Sequence, residues 1–174
     1  KRLVYSEKAN TVLYRTELEH NLGARKTLVE FIVEDAIEDA VEIGYDGWCI
    51  DGQFPDPAMS GIEIKDQGYI MRVRPYADLA EPIRTVNEKM AVILAEHEYR
   101  GFISSEIRLT KDGTAYVTDP CARAGSPPSE LFNLMVENLG EVMWHGAMGE
   151  VVEPKLAAEW GAELILHSEW AMTN

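Results

Sequence analysis

The most constraining feature of this 174-residue sequence is the dipeptide Asp112-Gly113, which lies between two segments of alternating apolar and polar residues. Asp-Gly is a strong signal for a two-residue type I′ turn, because both central positions of that turn need a positive φ. The flanking segments, 102–109 and 114–121, have the two-residue period of β-strands. The sequence therefore predicts a β-hairpin in which Lys111 faces Thr114.

This turn determines which residues face each other along the two strands. Counting outward from it pairs Glu106 with Asp119 and places both side chains on one face of the sheet. Directly opposed carboxylates have Cβ atoms roughly 4.5–5.5 Å apart, and they destabilise a sheet unless positive charge lies between them. Mg²⁺ resolves that conflict, since it prefers oxygen ligands from one or two carboxylates. The same counting pairs Ser104 with Cys121 and Arg108 with Val117.

An ordinary half-solvated sheet face explains the same alternation. In that interpretation Arg108 simply neutralises Asp119, and no ion is needed. A looser loop would also shift the pairs along the strands. On spacing alone we favour this plainer interpretation over a metal site.

The rest of the sequence predicts an α+β fold, with a mainly antiparallel sheet and helices packed on one face. Segments 28–33 and 40–50 are short apolar runs typical of strands, and 61–65 with 69–74 form a second hairpin. A helix is predicted over 79–98, with Asp78 as its expected N-cap and Gly101 just past its end. Another helix begins near residues 126–128.

The charge and the hydropathy of the chain exclude several functional classes. Its net charge of −14 disfavours binding to nucleic acid through phosphate contacts. The longest apolar runs are too short to span a bilayer, and the first residues lack a signal-peptide pattern. Cys49 and Cys121 form neither a metal-ligand spacing nor a disulfide framework. We therefore expect a cytoplasmic protein without nucleic-acid or membrane partners.

The predicted hairpin and the residues just after it resemble the carboxy-terminal signature of ATP-grasp enzymes. The resemblance lies in Glu-Ile-Arg at 106–108, Lys-Asp-Gly at 111–113 and Asp-Pro-Cys-Ala-Arg at 119–123, with Gly125 and Pro127. It implies that Glu106 and Asp119 bind Mg²⁺ and that Arg123 contacts the transferred phosphate, with Arg108 as a second catalytic cation. Cys121 occupies the position of an asparagine, and a thiol is a poor Mg²⁺ ligand. The block 101–154 further resembles a bacteriophage-associated ATP-grasp group.

The resemblance extends over residues 28–52 and implies an ATP site. Val-Glu-Phe-Ile-Val at 29–33 is similar to the ATP-grasp hinge, whose backbone near Glu30 and Val33 would pair with adenine. Glu42 is our choice for the carboxylate that holds the ribose hydroxyls, with Glu38 as the competitor. A solvated acidic loop is the alternative for this stretch. The cations near the phosphates would be Lys65 and Arg74, chosen from three candidates that include Arg72.

These implications define a domain organisation and a function. We expect a remnant of a preceding subdomain or a linker over 1–27, the nucleotide- and metal-binding subdomain over 28–154, and a helical extension over 155–174. The implied function is an ATP-dependent carboxylate–amine ligase with ATP and Mg²⁺, small carboxylate and amine substrates, and a homodimer as one option for its assembly. A non-catalytic ATP-grasp relative that binds a nucleotide or a partner is the first alternative. An unrelated acidic α+β interaction module is the second.

Overall fold

A computed structural model describes residues 35–64 and 67–170 of the chain. The described residues from Ile37 onward belong to one compact unit. They form six strands and three α-helices, together with a short 3-10 helix at Tyr76–Asp78: β1 Ala40–Ile50, β2 Ala58–Ile64, β3 Gly68–Arg74, α1 Glu81–Glu96, β4 Arg100–Thr110, β5 Ala115–Cys121, α2 Pro128–Met135, α3 Leu139–Ala147 and β6 Trp160–Leu164. The strands make a single antiparallel sheet in the order β5-β4-β1-β2-β3-β6. The predicted strand at 28–33 lies outside the described residues.

Helices cover both faces of this sheet. Tyr45 and Cys49 of β1 point to one face, where they pack with Ile83 of α1, and we call this the α1 face. Trp48 of the same strand points to the opposite face and packs with Phe132 of α2, which we call the α2/α3 face. The α+β class and the antiparallel sheet are thus confirmed, whereas the prediction of helices on one face is wrong. The physical reason is that β1 is buried continuously from Gly44 to Ile50 and needs cover on both sides.

The structure contains the predicted strand β1, the β2–β3 hairpin and the long helix α1. It differs from the prediction at the start of α1 and at the carboxy-terminal end of the chain. The N-cap of α1 is Ala80, which makes no side-chain capping bond, and Asp78 instead ends the 3-10 helix. Pro82 in the first turn of α1 fixes a helical φ without a capping side chain. The expected helical extension over 155–174 is replaced at 160–164 by β6, which pairs with β3 at the edge of the sheet.

The hairpin of β4 and β5 keeps the central pairs that the sequence predicts, but for a different reason. Thr110 and Thr114 close a three-residue loop, in which Gly113 has a φ of +87°, so the pairs next to the loop are shifted by one residue. Arg108 therefore pairs with Tyr116, and the predicted partner Val117 is wrong. Thr118 is an extra residue in β5 that forms a bulge opposite Glu106 and reverses the shift. Beyond the bulge the register again agrees with the prediction.

The bulge restores two of the predicted pairs. Glu106 pairs with Asp119, and Ser104 pairs with Cys121, as the sequence predicts. The hydroxyl of Thr118 donates a hydrogen bond to the Glu106 carbonyl oxygen at 3.2 Å, which stabilises the bulge.

In the part of the chain that the structure describes, no helix has both the length and the apolarity to cross a membrane.

The α2/α3 face should depend on its buried methionine. Met71 of β3 is 0% exposed and packs in the core of this face, whereas Met148 is 66% exposed just after α3. We expect Met71→Ala to lower the free energy of unfolding by about 2–5 kcal/mol, because it leaves a cavity. Met148→Ala, the matched control, should change it by less than about 0.5 kcal/mol. Urea denaturation measures both, and equal effects would contradict this packing.

Candidate functional site

Two glycines open a gap in the row of side chains on the α2/α3 face. Gly44 of β1 pairs with Gly61 of β2, so neighbouring strands both lack a side chain at this level of the sheet. A Cβ atom at Gly44 would lie 2.1 Å from the carbonyl oxygen of Ser105 on β4, and only glycine permits that close approach. The ring of Tyr69 crosses over Gly61, where a Cβ atom would lie 2.1 Å from the tyrosine oxygen. The glycine pair therefore creates the space in which a site can form.

The hydrogen-bond ladder is irregular on both sides of β4 at this level. Between the pairs Ile43–Ile107 and Asp46–Ser104, the amide of Tyr45 donates to the side-chain oxygen of Ser105 at 3.2 Å. On the other side of β4 lies the bulge in β5. Irregularities of this kind re-aim side chains and are frequent beside functional sites.

Three carboxylates converge over the glycine pair. Each of Glu42, Glu63 and Glu106 offers an oxygen, and these oxygens all lie within 4.8 Å of one another. They come from β1, β2 and β4, and Glu42 is buried with 9% of its surface exposed. The Arg108 guanidinium approaches this group, with Nη1 at 3.5 Å from Oε2 of Glu42. We call these three acids the carboxylate group.

A fourth acid, Asp46, lies in the same pocket and is fixed by two hydroxyls. Tyr69 donates a hydrogen bond to Oδ2 of Asp46, and Ser104 donates one to Oδ1 at 2.8 Å. The pKa of Asp46 is raised to about 6, mainly by burial and to a lesser extent by the nearby charges of Glu63 and Glu106, while the two hydrogen bonds oppose the increase. Burial and the adjacent Asp46 also raise the pKa of Tyr69 well above its usual value. Asp46 is thus held in one orientation at the base of the pocket.

The pocket has a volume of about 30 Å³ and opens beside the loop that precedes α2. Cys121, Arg123 and Gly125 line it together with the acids. A volume of this size accommodates an ion with one or two waters, since a single water needs at least about 10–15 Å³. A side chain at Gly125 would block this end, because its Cβ would lie 2.9 Å from Oδ1 of Asp46.

The structure brings together several of the residues that the sequence singled out. Glu106 belongs to the carboxylate group, Arg123 lines the pocket, and Arg108 contacts Glu42, which was our choice for the ribose carboxylate. The competitor Glu38 is exposed and precedes β1.

Asp119 shares a face with Glu106 but is not among the described carboxylates that gather within 4.8 Å. Its carboxylate accepts a hydrogen bond from the Cys121 thiol instead. Burial and this hydrogen bond raise the pKa of the Cys121 thiol, and the Arg123 charge opposes that rise. The carboxylate group therefore depends on β1 and β2 as well as β4, and the predicted register of the β4–β5 hairpin could not identify those two strands as neighbours.

Other predicted residues lie away from the pocket or outside the described part of the chain. Arg74 and Arg72 alternate with the core residues Met71 and Val73 and so point to the α1 face. Nη1 of Arg74 lies 3.4 Å from the carbonyl oxygen of Asp78, so this arginine is not brought to the phosphate position expected for it. Glu30, Val33 and Lys65 lie outside the described residues.

Sequence reasoning missed Glu63, Asp46 and Tyr69. The signal for Asp46 was available, since it is one of two acids, with Glu42, in the apolar run 40–50, and buried acids are rare and often functional. Glu63 and Tyr69 gave no such signal, because their place depends on the register of β1, β2 and β3. Comparison with protein-family models and with curated proteins found no match for this chain.

The buried Asp46 carboxyl should make stability depend on pH. Its pKa is about 6 in the folded chain against an ordinary 3.8, so folding favours the protonated form. This contribution is fully present below pH 3.8 and is lost as the pH rises towards 6. As the pH rises from 3.8 to 6, the free energy of unfolding of Asp46→Asn should therefore increase relative to that of the wild type, by up to about 3 kcal/mol.

Denaturation at a series of pH values, with a chelator present, measures that difference. Asp78→Asn, which alters an exposed acid on the 3-10 helix, controls for the general effect of charge. A difference between Asp46→Asn and the wild type that does not change with pH would contradict the raised pKa of the buried carboxyl.

Proposed function

We propose that this chain carries the Mg-ATP half of an ATP-dependent carboxylate–amine ligase of the ATP-grasp type. The observation that carries the proposal is the carboxylate group, in which Glu42, Glu63 and Glu106 place oxygens within 4.8 Å of one another beside Arg123. The resemblance of 106–123 to the ATP-grasp signature supports the same chemistry.

The donor set fits a divalent cation. Three negative charges at this separation repel each other strongly in a partly buried pocket, and a doubly charged ion relieves that repulsion. Carboxylate oxygens are the hard ligands that Mg²⁺ takes, and Mg²⁺ usually keeps several waters or phosphate oxygens as its remaining ligands. The pocket volume of about 30 Å³ suits such an ion, and the phosphates would lie at its open end.

Each residue around the pocket then has a separate task. Glu42, Glu63 and Glu106 hold the cation, and Arg108 fixes Glu42 from the side. Arg123, at the mouth, steadies the negative charge that develops on the transferred phosphoryl group. Asp46 keeps Ser104 and Tyr69 in place beneath the carboxylates. ATP supplies the phosphoryl group that activates a substrate carboxylate as an acyl phosphate, from which an amine displaces phosphate.

Cys121 favours a second candidate function, a non-catalytic ATP-grasp relative that binds nucleotide or a partner. Its thiol lines the pocket where the resemblance expects an asparagine ligand, and a thiol is a poor ligand for Mg²⁺. Phosphate release with a panel of carboxylates and amines separates the two, since the ligase requires it and the binding module does not. The adenine contacts near Glu30 and Val33 and the role of Lys65 stay predictions.

Calorimetry tests the proposal. We expect Mg-ATP to bind the wild-type chain, and Glu63→Gln and Glu106→Gln to weaken that binding by at least about tenfold, because each removes a charged ligand. Asp119→Asn should have a smaller effect than Glu63→Gln, since only Glu63 belongs to the close group. Glu88→Gln on the exposed surface of α1 is the matched control and should bind as the wild type does.

Two results would contradict the proposal. One is a wild-type chain whose melting temperature does not respond to Mg²⁺ and ATP, the outcome expected of an unrelated interaction module. The other is Mg-dependent binding that survives in both Glu63→Gln and Glu106→Gln, because the cation would then lie elsewhere.

A further inference from the structure

The half of the α1 face formed by β2, β3 and β6 presents apolar side chains outward. Ile62 and Ile70 are paired neighbours on β2 and β3, and they are 55% and 58% exposed. Ile64 is 59% exposed on β2, and Leu164 is 80% exposed on β6. Gly68 pairs with both of these residues and adds no side chain between them. We call Ile62, Ile64, Ile70 and Leu164, together with Val41 of β1, the apolar patch.

The apolar patch is continuous across four strands. Ile62 pairs with Ile43, and Val41 lies two residues before Ile43 on the same face, with 54% of its surface exposed. The patch ends at Arg72, whose guanidinium carbon lies 4.9 Å from the centre of the Trp160 ring and which forms an ion pair with Glu159 at 2.7 Å. An apolar centre with a polar border is typical of a protein interaction surface.

Charge distinguishes this face from the rest of the chain. The chain contains 30 acidic residues, yet the described residues of β2, β3 and β6 that point to the α1 face include no acid. Those residues are Ala58, Ser60, Ile62, Ile64, Gly68, Ile70, Arg72, Arg74, Trp160, Ala162 and Leu164. The acids Glu63 and Glu163 of the same strands point to the other face. A second copy with a net charge of −14 could therefore approach here without opposed carboxylates in the centre of the contact, and Glu159 at the border is paired with Arg72.

The size of the face fits such a contact. The five residues of the patch expose on the order of 600 Å², the upper end of what single apolar patches on monomers reach. Trp160, which is 56% exposed, and the arginine border bring the face close to the roughly 800 Å² per partner of a standard interface. Sheets pack face to face about 10 Å apart through such side chains.

We propose that two copies of this chain associate through the apolar patch as a symmetric dimer. A two-fold axis places the same patch against itself, and a largely apolar, uncharged centre is complementary to its own copy. The carboxylate group lies on the opposite face of the sheet, so the proposal does not depend on the proposed function.

Sedimentation equilibrium over a concentration series tests the proposal. We expect the wild-type chain to reach twice its 19.5 kDa mass, and Ile70→Lys to weaken dimerisation by at least about tenfold, because it buries an unpaired charge in the centre of the interface. Ile70→Thr, which keeps a β-branched side chain in the strand, should weaken it less. Leu134→Lys on α2, where the leucine is 79% exposed, is the matched control and should leave the dimer unchanged.

Three outcomes would overturn the proposal. A wild-type chain that stays at 19.5 kDa at every concentration would mean that another part of the chain, or another partner, covers the patch. A dimer that persists unchanged in Ile70→Lys and Ile70→Thr would form through a different surface. A dimer that Leu134→Lys weakens as strongly would place the contact on the α2/α3 face. Circular dichroism of each variant checks that the fold is retained.

Discussion

The convergence of like charges over the glycine pair is the constraint on which the rest of the candidate site depends. Gly44 and Gly61 leave the middle of a three-strand segment without side chains, and Glu42, Glu63 and Glu106 fill the space from its edges. The sheet order β4-β1-β2 is what makes these strands neighbours. Like charges gathered in this way repel each other, and a cation that binds there would reduce that repulsion and stabilise the fold.

The two faces of the sheet differ in chemistry because side chains alternate regularly along β2 and β3. On β2 and β3 one set of positions contributes Glu63 and Tyr69 to the acidic pocket, while the alternate set contributes Ile62 and Ile70 to the apolar patch. Each strand therefore serves a polar site on one side and an apolar surface on the other. A single-residue slip in register would exchange the two, which is why the short β2–β3 hairpin matters to both.

Most elements of this fold could be predicted from the sequence, with β6 as the exception, but the site could be predicted only in part. The period of the hydrophobic residues identified β1 to β5 and the long helix α1, whereas the helices on both faces of the sheet follow from the tertiary burial of β1. The pair Glu106–Asp119 was predicted from a two-residue turn, and it is present because a three-residue loop and the bulge at Thr118 offset each other. Glu63 could not be found, since nothing local in the sequence specifies which strand lies beside β1.

The carboxylate group is the proposed binding site of a divalent cation, and the proposed chemistry depends on it. Anomalous diffraction from crystals grown with Mn²⁺, a hard cation that favours the same oxygen ligands as Mg²⁺, tests this most directly. We expect one strong peak about 2.1 Å from oxygens of Glu63 and Glu106, with Glu42 in or beside the coordination shell. A pocket without a peak, or a peak held by Asp119 with Glu63 turned away, would contradict the proposed cation site.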